Sequence, residues 1–134
     1  MNPTIERLAD ALNRHDADGM AALMTPDYRS EQPAHPSRGF GGSDQVATNW
    51  REMFRGVPDM AAEVVAETTE GTMSWSEWGW TGHHSDGSQF GMRGVIVAGL
   101  ADDGRIRWAR LYMEPIERGG ADIDETVKQL SAGG

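Results

Sequence analysis

The hydrophobic period of this chain changes once, near residue 60, and that change restricts the fold more than any other feature. Before it, apolar side chains recur at helical spacing. Ile5, Leu8, Ala9 and Leu12 form one stripe, with Pro3 where a first helical turn accepts it. Asn13 to Asp16 interrupt the stripe. Asp16 then stands where it can cap a second short helix carrying Met20, Leu23 and Met24, with Pro26 just past its end. Val46, Trp50, Met53 and Phe54 make a third stripe, which opens near Ser43 and closes at Gly56-Val57-Pro58. From Met60 onward the period is two. Strands are predicted at Met60–Thr69, Met73–His84, Phe90–Leu100 and Arg105–Ile116. Ser85-Asp86-Gly87-Ser88 and Asp102-Asp103-Gly104 supply the turns. The loop Pro33–Gly42 holds two prolines and three glycines and is predicted to lack regular structure. Helices segregated ahead of strands mean an α+β fold, not a parallel doubly wound sheet.

The 134 residues are enough for one domain of ordinary size. We read residues 1–118 as that domain and 119–134 as a tail or short helix. Gly119-Gly120 interrupt the chain there, and Asp122 and Glu125 stand at capping-box spacing ahead of Ile123, Val127 and Leu130. Twelve basic and twenty-one acidic side chains give a net charge of -9. That charge opposes binding to nucleic acid or to an anionic membrane, both of which need clustered Lys and Arg. The absence of cysteine excludes disulfides, thiolate metal sites and thiol catalysis, and fits a cytoplasmic setting. The opening Met1-Asn2-Pro3-Thr4-Ile5-Glu6 has no basic region, so no signal peptide is expected. No run approaches the ~20 apolar residues of a membrane span.

The run Leu12-Asn13-Arg14-His15-Asp16-Ala17-Asp18-Gly19-Met20-Ala21-Ala22-Leu23 resembles the helix-turn-helix opening of the nuclear-transport-factor-2-like superfamily. Met92-Arg93-Gly94-Val95, Asp103-Gly104-Arg105-Ile106 and Tyr112-Met113-Glu114 are similar to its SnoaL-like, polyketide-cyclase-like branch. The resemblance covers roughly residues 4 to 117. It implies a cone-shaped α+β barrel, with a curved, mostly antiparallel sheet wrapped around a long helix, a pocket inside and frequent homodimers. It implies no single activity, because the fold carries isomerases, cyclases, epoxide hydrolases, dehydratases and non-catalytic binders.

Strand alternation gives an expected pocket face. We place Trp75, Glu77, Gly79, Thr81 and His83 on it, with Trp78 and Trp80 on the opposite face. Ser30 and Gln32 are expected to point inward, as are Met92, Gly94, Ile96, Ala98, Ala109, Leu111 and Met113. The chemistries that the resemblance implies are then compared with these positions. Where steroid-isomerase-like members carry a Glu-Asp-Pro base, this chain reads Glu31-Gln32-Pro33. Their oxyanion donors fall at Leu8 and Ile96. The Arg-x-Asp and Asp of limonene-epoxide-hydrolase-like members fall at Glu77-Trp78-Gly79 and Leu111. Polyketide cyclases rely on an inward acid on the last strands, and Arg110-Leu111-Tyr112 offers none in the inward phase.

Glu77 therefore remains as the candidate catalytic residue. Either desolvation raises its pKa and fits it for general acid/base work, or it pairs with Arg93 and fixes the hairpin. The expected ligand is an apolar small molecule with one or two oxygens. Met92, Ile96, Leu111 and Met113 are its walls, with Trp50 and Trp75 as aromatic contacts. Gln32, Thr81, Ser30 and Glu77 supply polarity, and His35 lies in a loop that can cover the pocket. His83 and His84 face opposite sides of one strand, and no metal or cofactor is assigned. Trp78, Trp80, Trp108, Val95 and Val97 are expected to form the outer face of a homodimer. Two functional readings follow: cofactor-free isomerase, cyclase or dehydratase chemistry on a hydrophobic oxygenated substrate, or a non-catalytic small-ligand-binding module.

Overall fold

The computed structural model describes residues 1–132. Helix α1 (Pro3–Asn13) begins where the Asn2 side chain accepts from the Thr4 N–H at 2.9 Å. The chain then turns at His15, which adopts a positive φ of 57°. The residue is held there from two sides. Its Nε2 donates to the Met60 carbonyl at 2.7 Å, and its ring stacks on Phe54 with centroids 4.5 Å apart. Helix α2 (Ala17–Ala22) follows, capped by Asp16 through the Gly19 N–H at 2.9 Å. Helix α3 (Ser43–Gly56) is the longest. Helices α1 and α3 stand where the helical stripes predict them; α2 is shorter than expected, because Leu23 forms its C-cap and Met24 already opens a strand.

Six strands form one sheet: β1 (Met24–Glu31), β2 (Phe40–Gly41), β3 (Ala61–Glu70), β4 (Met73–His83), β5 (Gln89–Leu100) and β6 (Ile106–Pro115). Their order is β2-β1-β6-β5-β4-β3. The β1–β6 pair is parallel and the others are antiparallel. The fold is α+β, with a mostly antiparallel sheet curled around the helices. The sheet does not close on itself, since β2 and β3 remain edges; the expected barrel is an open cone. Strands β5 and β6 approach closely at Gly94, where a Cβ would lie 2.1 Å from the Tyr112 carbonyl oxygen. Any side chain there would force β5 away from β6.

Strands β1 and β2 are additions to the sequence reading, as is a 3-10 turn at Pro36–Arg38. Pro26 and Asp27 disguise β1, because proline removes a ladder donor. The sheet absorbs them in an irregularity: β1 runs from Met24 to Arg29 while β6 advances only from Ile106 to Trp108. The tail forms α4 (Ile123–Ser131), capped by Asp122 through the Glu125 N–H at 3.0 Å. Its apolar stripe of Ile123, Val127 and Leu130 is exposed.

The core lies between α1, α3 and the inner sheet face. Ile5, Leu12, Met20, Met60, Ile106 and Trp78 are almost fully buried in it. Trp78 and Trp80 correct the expected phase of β4. Both point inward, at 0% and 5% exposure, whereas Trp75 is 49% exposed on the outer face. Glu77, Gly79, Thr81 and His83 share that outer face with Trp75. The reason is apolar area. An indole buries roughly 150–250 Å², so at ~25 cal/mol per Å² each inward Trp contributes on the order of 4–6 kcal/mol as an upper estimate. The opposite phase would expose two indoles and drive a carboxylate inward. No helix among the described residues is long and apolar enough to cross a membrane.

Candidate functional site

A cavity of about 250 Å³ opens between α1, α3, β1 and the inner face of β4, β5 and β6. Its floor is apolar and buried: Ile5, Leu12, Met20, Met24, Ala98 and Ile106. Trp78 and Trp80 form one wall, and the Trp50 ring meets Trp80 edge to face with centroids 5.1 Å apart. The rim is less buried and consists of Gln32, Arg38, Phe40, Asn49, Trp50, Met92 and Leu111.

The polar groups are not scattered. Tyr28, Ser30 and Gln32 alternate along β1 and its extension, so all three face the cavity from one side. Burial pushes the Tyr28 phenol above its ordinary pKa, partly offset by the polar Ser30 side chain. The phenol therefore stays neutral and remains a donor at physiological pH. Trp80 Nε1 is buried without a hydrogen-bond partner. Trp78 Nε1, by contrast, donates to Ser76 Oγ at 2.7 Å, which lets a full indole sit in the core.

Of the residues expected at the site, Ser30, Gln32, Trp50, Met92, Ile96 and Leu111 line the cavity. Met113 is buried in the adjoining core. Three expectations are corrected by the phase of β4. Trp75, Thr81 and Glu77 lie on the outer face, and Glu77 forms an ion pair with Arg93 at 3.2 Å. His35 stands outside the cavity lining; its Nε2 meets Glu114 Oε1 at 2.8 Å and ties the rim loop to β6. Tyr28, Arg38 and Asn49 are lining residues that sequence reasoning missed. Arg38 belongs to the segment read as loop, and Tyr28 to a short segment to which the sequence assigns no element, although it lies two positions from Ser30 and shares its phase.

Among the described residues no carboxylate lines the cavity; Tyr28 and Arg38 are its only titratable lining groups. No three His, Asp or Glu side chains converge on one point among the described residues. His83 is engaged with Asp59 at 2.8 Å, and His84 packs edge to face on Phe90.

The outer face carries its own apolar stripe. Trp75, Val97 and Arg110 stand in register across β4, β5 and β6, as do Glu77, Val95 and Tyr112. Trp108 packs against Gly99, where a Cβ would fall 2.1 Å from the indole nitrogen. The Arg110 guanidinium lies over the Trp108 ring at 4.5 Å.

This cavity, bounded by a curled sheet and three helices, is the setting in which comparison with known proteins becomes informative. Residues 5–109 match the SnoaL-like domain. The chain belongs to that family. Solved structures of the same fold include an NTF2-like protein of unknown function from Exiguobacterium sp. 255-15, with 20% identity, TM-score 0.69 and coverage of 86% of this chain and 99% of that one. A candidate SnoaL-like polyketide cyclase from Jannaschia sp. CCS1 shares 24% identity at TM-score 0.70, covering 83% of each chain. A ketosteroid-isomerase-like fold from Catenulispora acidiphila DSM 44928, solved with trimethylamine, aligns at TM-score 0.72 with 12% identity over 82% of this chain and 85% of that one. At these identities the likeness is one of fold. No curated protein matches the chain in sequence.

Proposed function

We propose that this SnoaL-like domain binds an apolar, oxygenated small molecule in the cavity. The observation that carries the reading is the segregation of its lining: Tyr28, Ser30 and Gln32 on one strand, against walls of Trp, Met, Ile and Leu. An apolar body with one polar edge fits such a wall in one orientation. The absence of a lining carboxylate among the described residues favours binding over the carboxylate-driven proton transfer expected of Glu77. The test is an NMR titration of the indole N–H signals with 2-acetonaphthone. The Trp50 and Trp80 signals are expected to shift, and those of Trp75 and Trp108 to stay. Shifts confined to Trp75 and Trp108 would place binding on the outer face and overturn the reading.

Tyr28 favours a second, catalytic reading. A buried phenol kept neutral by desolvation can donate to a carbonyl or enolate oxygen as negative charge develops there. Isomerase or cyclase chemistry would then use Tyr28 as the acid. A loss of turnover in Tyr28→Phe much larger than its loss of affinity is the expected result for that reading; turnover retained in the variant excludes it.

A further inference from the structure

We propose that the ligand is an apolar organic acid of one or two rings, with its carboxylate at the cavity rim against Arg38. This rests on the small-molecule-binding reading above and adds the class of ligand. Charge is the first argument. At a net charge of -9 the chain's overall field repels anions, so an anion-selective site needs a local cation. Among the described residues, Arg38 is the one charged side chain in the cavity lining.

Its partnering is the second argument. Arg14, Arg51, Arg55, Arg93 and Arg105 each meet a carboxylate. Arg38, like Arg7, Arg29, Arg107, Arg110 and Arg118, meets no carboxylate among the described residues, but of these six it alone lines the cavity, where it donates to Gln32 Oε1 at 3.0 Å. One neutral bond leaves most of the five guanidinium donors open. It also orients the Gln32 amide so that Nε2 remains a second donor beside the cation. A planar carboxylate suits such a pair. Phosphate would need more positive charge than one arginine gives, and a less apolar lining.

Placement is the third. Pro36 opens the 3-10 turn that ends at Arg38, and the Arg38 N–H donates to the His35 carbonyl at 2.9 Å. The His35 ring is in turn fixed to Glu114 on β6. The guanidinium thus projects from a pinned turn, which lowers the ordering cost of binding. Size completes the assignment. An apolar cavity of ~150 Å³ takes up benzene, so about 250 Å³ suits one ring with substituents or two fused rings.

The experiment is calorimetric titration of wild type and Arg38→Gln with 2-naphthoate, its methyl ester and 2-naphthylmethylamine at neutral pH. The acid is expected to bind wild type about ten-fold more tightly than the ester, with the amine weakest. Arg38→Gln should abolish the advantage of the acid over the ester, read as the ratio of the two affinities within the variant. Arg38 sits on an exposed turn, so a melt suffices to show that the variant folds. Equal affinity of wild type for all three probes, or an acid preference that survives in Arg38→Gln, overturns the acid assignment and leaves the cavity reading standing. Failure of all three to bind wild type rejects the cavity reading, and the acid assignment with it.

Discussion

Glu77 Oε2 and Arg93 Nη2 meet at 3.2 Å on the outer face of the sheet, with the two side chains 45% and 53% exposed. A pair this open gains little, because water screens it and two long side chains must be ordered. Glu77→Gln is therefore expected to change stability by less than ~1 kcal/mol and to leave binding of 2-acetonaphthone unchanged. Thermal melts and the NMR titration check both. Loss of probe binding with an unchanged melt would return Glu77 to the site.

The same face is where we expect a second copy of the chain to dock. Trp75 and Tyr112 are 49% and 43% exposed; Val95 stands in register beside Tyr112, and Trp108 lies in the next row on the other side of Trp75. A patch of this composition is unusual on a monomer. Sedimentation at tens of micromolar, a concentration at which a specific dimer of ordinary affinity is populated, is expected to show a dimer for wild type. Trp75→Glu should shift it to monomer. A wild-type monomer excludes the interface.

The helices and the last four strands were legible because each carries an uninterrupted period. Val46, Trp50 and Met53 can face the core together only on a helix, and Phe90 to Leu100 only on a strand. The phase of β4 was not legible, because both of its faces carry tryptophan: Trp75 on one, Trp78 and Trp80 on the other. Period two states that the faces differ but not which is inside. That is decided by total apolar area, which only the packed helices reveal. Strand β1 was obscured by Pro26 and Asp27, and with it went Tyr28. Arg38 lay in a loop whose prolines and glycines announce irregularity without saying where its side chains go. Ser30 and Gln32 were reachable because their spacing of two holds under either description of the segment.

Tyr28→Phe tests the polar edge of the cavity. Tyr28 is buried with its hydroxyl influenced by Ser30, so removal of that hydroxyl should cost about 1 kcal/mol of stability. Affinity for a neutral ketone such as 2-acetonaphthone is expected to fall about five- to ten-fold. Because burial raises the phenol pKa, the wild-type donor persists beyond the ordinary tyrosine range. Ketone affinity should therefore be flat up to about pH 9. A fall in affinity that begins nearer neutrality would show that another group carries the contact.

Acid stability should depend on Asp59. Its carboxylate accepts from the His83 ring nitrogen at 2.8 Å and from the His83 backbone N–H at 2.7 Å, joining the end of α3's following turn to the end of β4. The ring bond first, then the backbone bond, holds the Asp59 pKa below its ordinary value. A carboxylate whose pKa falls on folding contributes stability that is complete above the unfolded value, near ~3.9, and is lost as pH falls through the lower folded value. Asp59→Asn removes this titration. The variant's melting temperature should decline less steeply than that of wild type below about pH 4. Parallel acid limbs for the two proteins would show that the clamp does not contribute.

The inverted phase of β4 has the largest expected energetic consequence. Trp78 is fully buried, donates from Nε1 to Ser76 Oγ at 2.7 Å, and faces the cavity, whereas Trp75 is half exposed three positions earlier. Trp78→Ala removes a buried indole and leaves Ser76 short of a partner; such truncations cost about 3–5 kcal/mol. Trp75→Ala deletes a side chain that already meets solvent and should cost about 1 kcal/mol or less in the monomer. The more conservative Trp78→Phe keeps most of the volume, and its smaller loss would isolate the contribution of the Nε1–Ser76 bond. Urea unfolding of the variants at concentrations where wild type is fully folded measures all three. If Trp75→Ala proves the costlier of the two alanine variants, at protein concentrations low enough to remove any dimer, then Trp75 and Glu77 point inward. Glu77 would then be back in contact with the cavity.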